Sequence, residues 1–304
     1  MYYFIINPSS RSGEGRTIWR KVRNILDGRN LSYEFYFTRT SGHGTRLARQ
    51  LAPRLSGHCL VIIGGDGTVN EVLNGLDAAR DVTVGYIPTG SGNDFARGLG
   101  ISSNPGEALA AILHPSCIRQ IDLGYVRTPR KTAAFGISSG LGYDAEICYQ
   151  VSHSPLKKVL NRLHLGNLIY ALTALKLLLT YAPCAMDITV DGQRHTFRKV
   201  YFLAAMNLPY EGGGFRFCPN ADPEDGMLDC LVVHDMHPLK ILLLFPTAYL
   251  GKHARFSGVT LLRGKQIHVR SREPEKIHRD GEFGGISDDV VFQTGAGRIR
   301  LVIR

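Results

Sequence analysis

The stretch Leu60–Gly75, LVIIGGDGTVNEVLNG, constrains the fold more than any other part of the chain. Leu60, Val61, Ile62 and Ile63 form a short apolar run of the kind shown by parallel strands covered on both faces. Gly64 and Gly65 take away the Cβ atoms that would hold a phosphate off the backbone, and Gly67 allows a tight turn. Thr68 followed by Glu71 reads as a capping box, which predicts a helix whose free N–H groups face the turn. Asp66 then lies at the carboxyl end of a strand, where open α/β sheets bind ligands. A carboxylate beside a phosphate site serves a divalent cation or a proton transfer. Taken alone, the segment reads equally well as a strand-to-helix turn rich in small residues.

Two further segments shift the balance. Val82–Ile87, VTVGYI, is strand-like and leads into Pro88–Arg97, PTGSGNDFAR. Thr89, Ser91, Asn93 and Asp94 make that loop polar, and Phe95–Leu99 begins a helix. Tyr2–Ile6 is an apolar strand that opens onto Asn7–Gly15, NPSSRSGEG, ahead of an amphipathic helix around Ile18–Leu26. Three glycine- and hydroxyl-bearing loops therefore leave strands expected to end at one sheet edge. Neither G-x-x-x-x-G-K-[ST] nor a G-x-G-x-x-G opening a helix after the first strand occurs, which excludes the P-loop and the dinucleotide fingerprint.

At 304 residues the chain has room for two domains. Strand and helix patterns alternate to about Gly124 and strands predominate thereafter, so an α/β half followed by a mostly β half is expected. Six cysteines without CxxC or zinc spacing suit a reduced cytoplasm, and the eleven histidines read as surface or core residues rather than ligands. The opening MYYFIIN lacks the charged n-region of a signal peptide. The most apolar segments, Leu165–Tyr181 and Leu239–Leu250, are interrupted by Lys176 or too short for a bilayer of roughly 30 Å. The net charge of +10 suits an anionic surface, where each basic side chain contributes about 1 kcal/mol. Lys157, Lys158, Arg162 and His164 precede the apolar helix Leu168–Tyr181, a basic and greasy element fit for such an interface. A helix packed on its own domain with a solvated basic edge is the plainer reading of its core. No DNA- or RNA-binding motif is present, and no nucleic acid partner is expected.

In order and spacing, NPSSRSG, GGDGTVNEVLNG, PTGSGNDFAR, Ile121–Gly124, the glycines at 212–214, Asp225–Gly226 with Leu228–Asp229, and Asp280-Gly281-Glu282 resemble the diacylglycerol kinase catalytic-domain family. The resemblance spans nearly the whole chain and is nearest to the soluble bacterial lipid kinases. NAD kinases and phosphofructokinases share only the GGDGT idea; GNDFAR and DGE together separate them.

The resemblance implies an α/β N-terminal nucleotide-binding domain of phosphofructokinase/NAD kinase type plus a β-sandwich second domain. The ATP-binding domain would be residues 1–124 with a strand returning at 294–304, around Arg298–Ile303, and the lipid-binding sandwich residues 125–293. The implied activity is ATP-dependent phosphorylation of the hydroxyl of diacylglycerol or a related membrane lipid. A NAD kinase-like phosphotransferase with a soluble acceptor, and a catalytically silent nucleotide-binding regulator recruited to membranes, are the alternatives. By resemblance, Asn7, Pro8, Ser9, Ser10, Arg11, Thr38, Gly64, Gly65, Asp66, Gly67, Thr68, Val69, Asn70 and Ser91 contact the nucleotide, with Thr40 an alternative to Thr38 and Mg²⁺ near Asp66. Glu282 would be the general base, with Asp66 sharing or taking that role as the alternative. A second Mg²⁺ would be held by the Asp225 side chain, with Asp222 and Met227 acting mainly through the backbone, and Asp94 and Asp122 would join an aspartate–water–metal network. Ser91 stands where many relatives have threonine and keeps the hydroxyl, whereas Gly136 stands where they usually have asparagine and bears on the acceptor. The implied setting is the cytoplasm, in peripheral contact with an anionic membrane surface, with a homodimer, the acceptor lipid and ATP over GTP left open.

Overall fold

The apolar runs near the N-terminus pair in parallel. β1 (Tyr2–Ile6) lies between β2 (Tyr33–Phe37) and β3 (Cys59–Gly64), and β4 (Thr83–Pro88) follows beyond β3. The computed structural model describes residues 1–76, 82–154 and 166–304. Met1–Leu123 with Ala296–Arg304 form one unit, and Gly124–Gly295 a second.

In the first unit the connections carry α1 (Glu14–Gly28), α2 (His43–Leu51), α3 (Asp66–Leu73), α4 (Asp94–Leu99) and α5 (Pro105–Leu113). Phe4, Ile6, Val61, Ile63 and Ile87 pack on Trp19 and Leu26 of α1 and Leu109 and Ile112 of α5. Ile5, Leu60 and Ile62, which alternate with them, are buried as well. α2 and α3 pack on each other and on β1 and β3. Strands enclosed on both faces have no use for polar alternation, which is why they read as unbroken apolar runs.

The second unit is antiparallel. Its strands are β5 (Ile118–Arg127, entering from the first unit), β6 (Thr132–Phe135), β7 (Ser138–Gly142), β8 (Cys184–Val190), β9 (Gln193–Met206), β10 (Leu228–His234), β11 (Val259–Gly264), β12 (Gln266–Arg279) and β13 (Glu282–Val302). They run in the order β11-β10-β9-β7-β12-β13, with β8 joining β9 to β12 and β5 pairing with β6. Leu203 and Ala205 of β9 face a core with Phe135, Leu141, Val269 and Phe292. The alternate residues Phe202, Ala204 and Met206 face Tyr143, Leu178 and Ile241. Those three belong to α6 (Tyr143–His153), α7 (Gly166–Thr180) and α8 (Pro238–Tyr249), a helical layer over the outer face of the sandwich.

β13 ends in the first unit, where Arg300 and Leu301 pair in parallel with Thr83 and Val84 of β4. No helix among the described residues is long and apolar enough to cross a membrane. Lys157, Lys158, Arg162 and His164, read above as a basic edge, lie outside the described residues.

Candidate active site

In-register parallel pairing brings the loops of the first unit to one edge. Ile6 pairs with Phe37 and Ile63, and Ile63 with Ile87, so Thr38, Asn7, Gly64–Gly65 and Thr89 follow in a row. Backbone hydrogen bonds run along that row from Thr38 N to Ile6 O (2.8 Å), Asn7 N to Ile63 O (2.8 Å) and Thr89 N to Gly64 O (2.7 Å). Side chains lock the loops together. Asn7 Nδ2 donates to Thr68 Oγ1 at 3.1 Å, the Ser9 N–H donates to Asn7 Oδ1, and Ser10 Oγ lies 2.7 Å from Thr89 Oγ1. Pro8 is half-buried, and Arg11 and Ser91 stay exposed at the rim. Val69 and Asn70 are buried in α3.

The GGDGT turn differs from its reading in sequence. α3 starts at Asp66 with Gly65 as its N-cap, so Gly67 is helical and Thr68 is no cap. Glu71 does not reach back to its own helix. Its carboxylate accepts the N–H groups of Gly42 (2.6 Å) and Gly44 (2.8 Å) at the start of α2. Orphan donors at a helix start gain more from a charged acceptor than α3 would from a closed capping box. The glycines answer first to internal packing. A Cβ on Gly64 would lie 2.5 Å from Thr68, and one on Gly65 3.0 Å from the Gly90 Cα, so the two glycine-rich turns touch backbone to backbone.

Asp66 accepts hydrogen bonds from the N–H groups of Asp94 (3.1 Å) and Phe95 (3.2 Å), which ties the GGDG turn to the start of α4. Asn93 turns the chain there at φ 52°, a conformation its short amide tolerates, and its Oδ1 accepts the Gly90 N–H. Buried Asp94 pairs with Arg97. Beneath them, Tyr86 donates to Gly64 O; burial, then Asp66, then Asp94 push its hydroxyl well above the usual tyrosine range. Arg97 offsets the charge of Asp94, which leaves the Asp66 carboxylate, an acceptor of two backbone N–H groups, as the hard oxygen donor of the kind that suits Mg²⁺. Buried Asp122 instead accepts from Arg298 Nε at 2.7 Å.

In the second unit β12 and β13 form a hairpin whose turn residues, Asp280 and Gly281, both have positive φ (47° and 80°), as a tight primed turn requires. The Asp280 carboxylate accepts the N–H groups of Gly136 (2.9 Å), Ile137 (2.7 Å) and Ser138 (3.0 Å). Asn207 Nδ2 donates to Gly136 O from the other side. The clamp was invisible in sequence, where the D-G pair announces a turn but not what its carboxylate holds. Glu282 follows the turn, exposed and opposite Arg279, while Phe283 packs on Tyr149 of α6 at 4.9 Å. An accessible carboxylate on a clamped hairpin can accept a proton from a docked hydroxyl.

Two other acidic groupings carry positive partners. Fully buried His278 lies 2.9 Å from Asp144 and 3.3 Å from Glu211. Burial opposes its charge, but Glu211 and Asp144 outweigh burial and lift its pKa to about 9. The three side chains are close enough to hold a metal ion, yet a protonated His278 already offsets one of the two carboxylate charges from within the cluster. Asp225 binds Arg263 and accepts the Met227 N–H at 2.8 Å, and Asp222 accepts the Glu224 N–H at 3.1 Å. A cation among Asp222, Asp225 and Met227 would share the Asp225 carboxylate with Arg263.

The arrangement has relatives. Residues 1–126 match the model of the diacylglycerol kinase catalytic domain, and residues 138–300 that of the YegS C-terminal NAD kinase beta sandwich-like domain. A diacylglycerol kinase of Bacillus subtilis strain 168 is 30% identical over 288 residues, covering 93% of this chain and 89% of that protein. The chain belongs to the diacylglycerol kinase catalytic-domain family. Its fold is that of bacterial members: a crystal structure of a diacylglycerol kinase from Bacillus anthracis strain Sterne superposes with a TM-score of 0.73 at 22% identity, over 100% of this chain and 96% of that one. An NAD kinase from Archaeoglobus fulgidus, solved in complex with ATP, shares the fold more distantly, with a TM-score of 0.53 at 12% identity over 99% and 93% of the two chains. This lipid kinase family member therefore combines an α/β unit of the NAD kinase kind with a β-sandwich.

Proposed function

We propose that this family member is an ATP-dependent lipid kinase that phosphorylates a hydroxyl of diacylglycerol or a related membrane lipid. The row of locked loops at one sheet edge carries the reading, since it sets the start of α3 and the Asp66 carboxylate at the carboxyl ends of parallel strands, where open α/β sheets bind ligands. Asn7–Arg11, Thr38, Gly64–Asn70 and Ser91 would line the nucleotide, with Thr40 the alternative to Thr38. Asp66, with Asp94 beside it, would hold Mg²⁺, which when bound neutralises phosphate charge. The lipid oxygen attacks the γ-phosphorus as the bond to the β–γ bridging oxygen breaks, ADP leaves, and Glu282 takes the hydroxyl proton, with Asp66 the alternative acceptor. No step passes through a second ion at Asp222, Asp225 and Met227. A membrane lipid as acceptor agrees with the net charge of +10 and with work at an anionic surface.

The test is transfer of labelled γ-phosphate from ATP and Mg²⁺ to a lipid panel in mixed micelles, with NAD as a soluble acceptor. Label is expected on one lipid class and should fall about 10²–10⁴-fold in Glu282→Ala. Label on NAD alone would instead identify a soluble acceptor, and no label while ATP still binds would identify a silent regulator.

A further inference from the structure

We propose that α8 is a membrane-seating helix, whose outer face lies in the headgroup layer of an anionic bilayer. The helix departs from an ordinary surface helix in being apolar on its outer face as well as its inner one. Ile241 and Ala248 anchor it, with Leu244 and Phe245 packed partly against the same core. The opposite face should then be polar. It carries instead Leu239, Leu242, Leu243, Pro246, Tyr249 and Leu250, all exposed, with Leu243 77% and Leu250 65% accessible. Their spacing of three and four places them on one stripe, and no charged residue interrupts it. A contiguous apolar surface of this kind marks an interaction site.

Charge selects the occupant. Between Asp235 and Glu273 the sequence has no acidic residue, whereas Lys240, Lys252 and Arg255 lie on or just after the helix. Lys240 donates to Ser257, and Lys252 and Arg255 are exposed beside the stripe. An apolar stripe bordered by cations fits acyl chains beneath anionic headgroups. A second copy fits less well, because two such faces would bring like charges together. α7 also exposes Leu172, Leu175 and Leu179, but exposed Lys176 interrupts them.

Flotation of the full chain with vesicles tests the assignment, and it needs neither nucleotide nor turnover, so its failure is separable from failure of the kinase reading. Wild type should bind phosphatidylcholine vesicles containing phosphatidylglycerol and bind pure phosphatidylcholine far less, with binding falling as salt rises. Leu243→Glu and Leu250→Glu should each weaken binding roughly tenfold or more. Lys252→Glu with Arg255→Glu should abolish the preference for anionic vesicles. Equal binding by wild type and the leucine variants would overturn the proposal. So would absence of binding by wild type, or a wild-type dimer in sedimentation that either leucine variant dissolves, which would make the occupant a second copy.

Discussion

At the scale of single residues, Asp280 and Glu282 have opposite tasks although one glycine separates them. Asp280 is buried with three backbone donors on its carboxylate, and Glu282 is exposed. Asp280→Ala strands those donors, at about 1–3 kcal/mol each before relaxation. Urea unfolding should show a loss of at least about 3 kcal/mol for Asp280→Ala and less than about 0.5 kcal/mol for Glu282→Ala. Equal stability of the two variants would remove the clamp from the account. Under the kinase reading both variants lose turnover, but only Asp280→Ala loses it together with the fold around Gly136–Ser138.

At the scale of elements, the strands of the first unit and the helix that begins in GNDFAR were legible, and the start of α3 was not. Leu60–Ile63 shows itself because enclosure on both faces forces an unbroken apolar run. Glu71 misleads because its position three residues after Thr68 satisfies a local rule, while its partners, Gly42 and Gly44, lie on another helix that no local pattern links to it. Asp66, Asn7 and Thr89 could be picked out singly as polar groups after strands, but their mutual bonds depend on strand order, which the sequence does not state. Asn207 and the Asp144–Glu211–His278 cluster escaped for the same reason: each joins segments far apart in the chain. The α2–α3 contact gives a direct check. Glu71→Gln keeps the shape but sets an NH₂ group against an N–H donor, so a loss of about 1–2 kcal/mol is expected. Hydrogen exchange should quicken at Gly42 and Gly44; unchanged protection there would show that the carboxylate contributes nothing.

At the scale of the whole molecule, the first unit is not made of one continuous stretch. Ile299, Leu301, Val302 and Ile303 are buried in it, and Arg298 balances the buried Asp122. Removing Arg298–Arg304 forfeits on the order of 6 kcal/mol or more of apolar burial, comparable to the 5–15 kcal/mol that typically holds a domain together. The shortened chain should lose exchange protection throughout β1, β3 and β4, and a melting profile matching the intact chain would refute this. The same closing strand sets an order of events during synthesis. Residues 296–304 leave the ribosome only after all of 124–295 has been made, so the unit begun first is finished last. At about 5–20 residues per second, the free edge of β4 waits on the order of ten seconds for its neighbour, and the sandwich is completed only just before it, since the same strand β13 first supplies Val290 and Phe292 to the sandwich core. An unpaired strand edge invites mispairing, and that interval is when the edge of β4 is open to it.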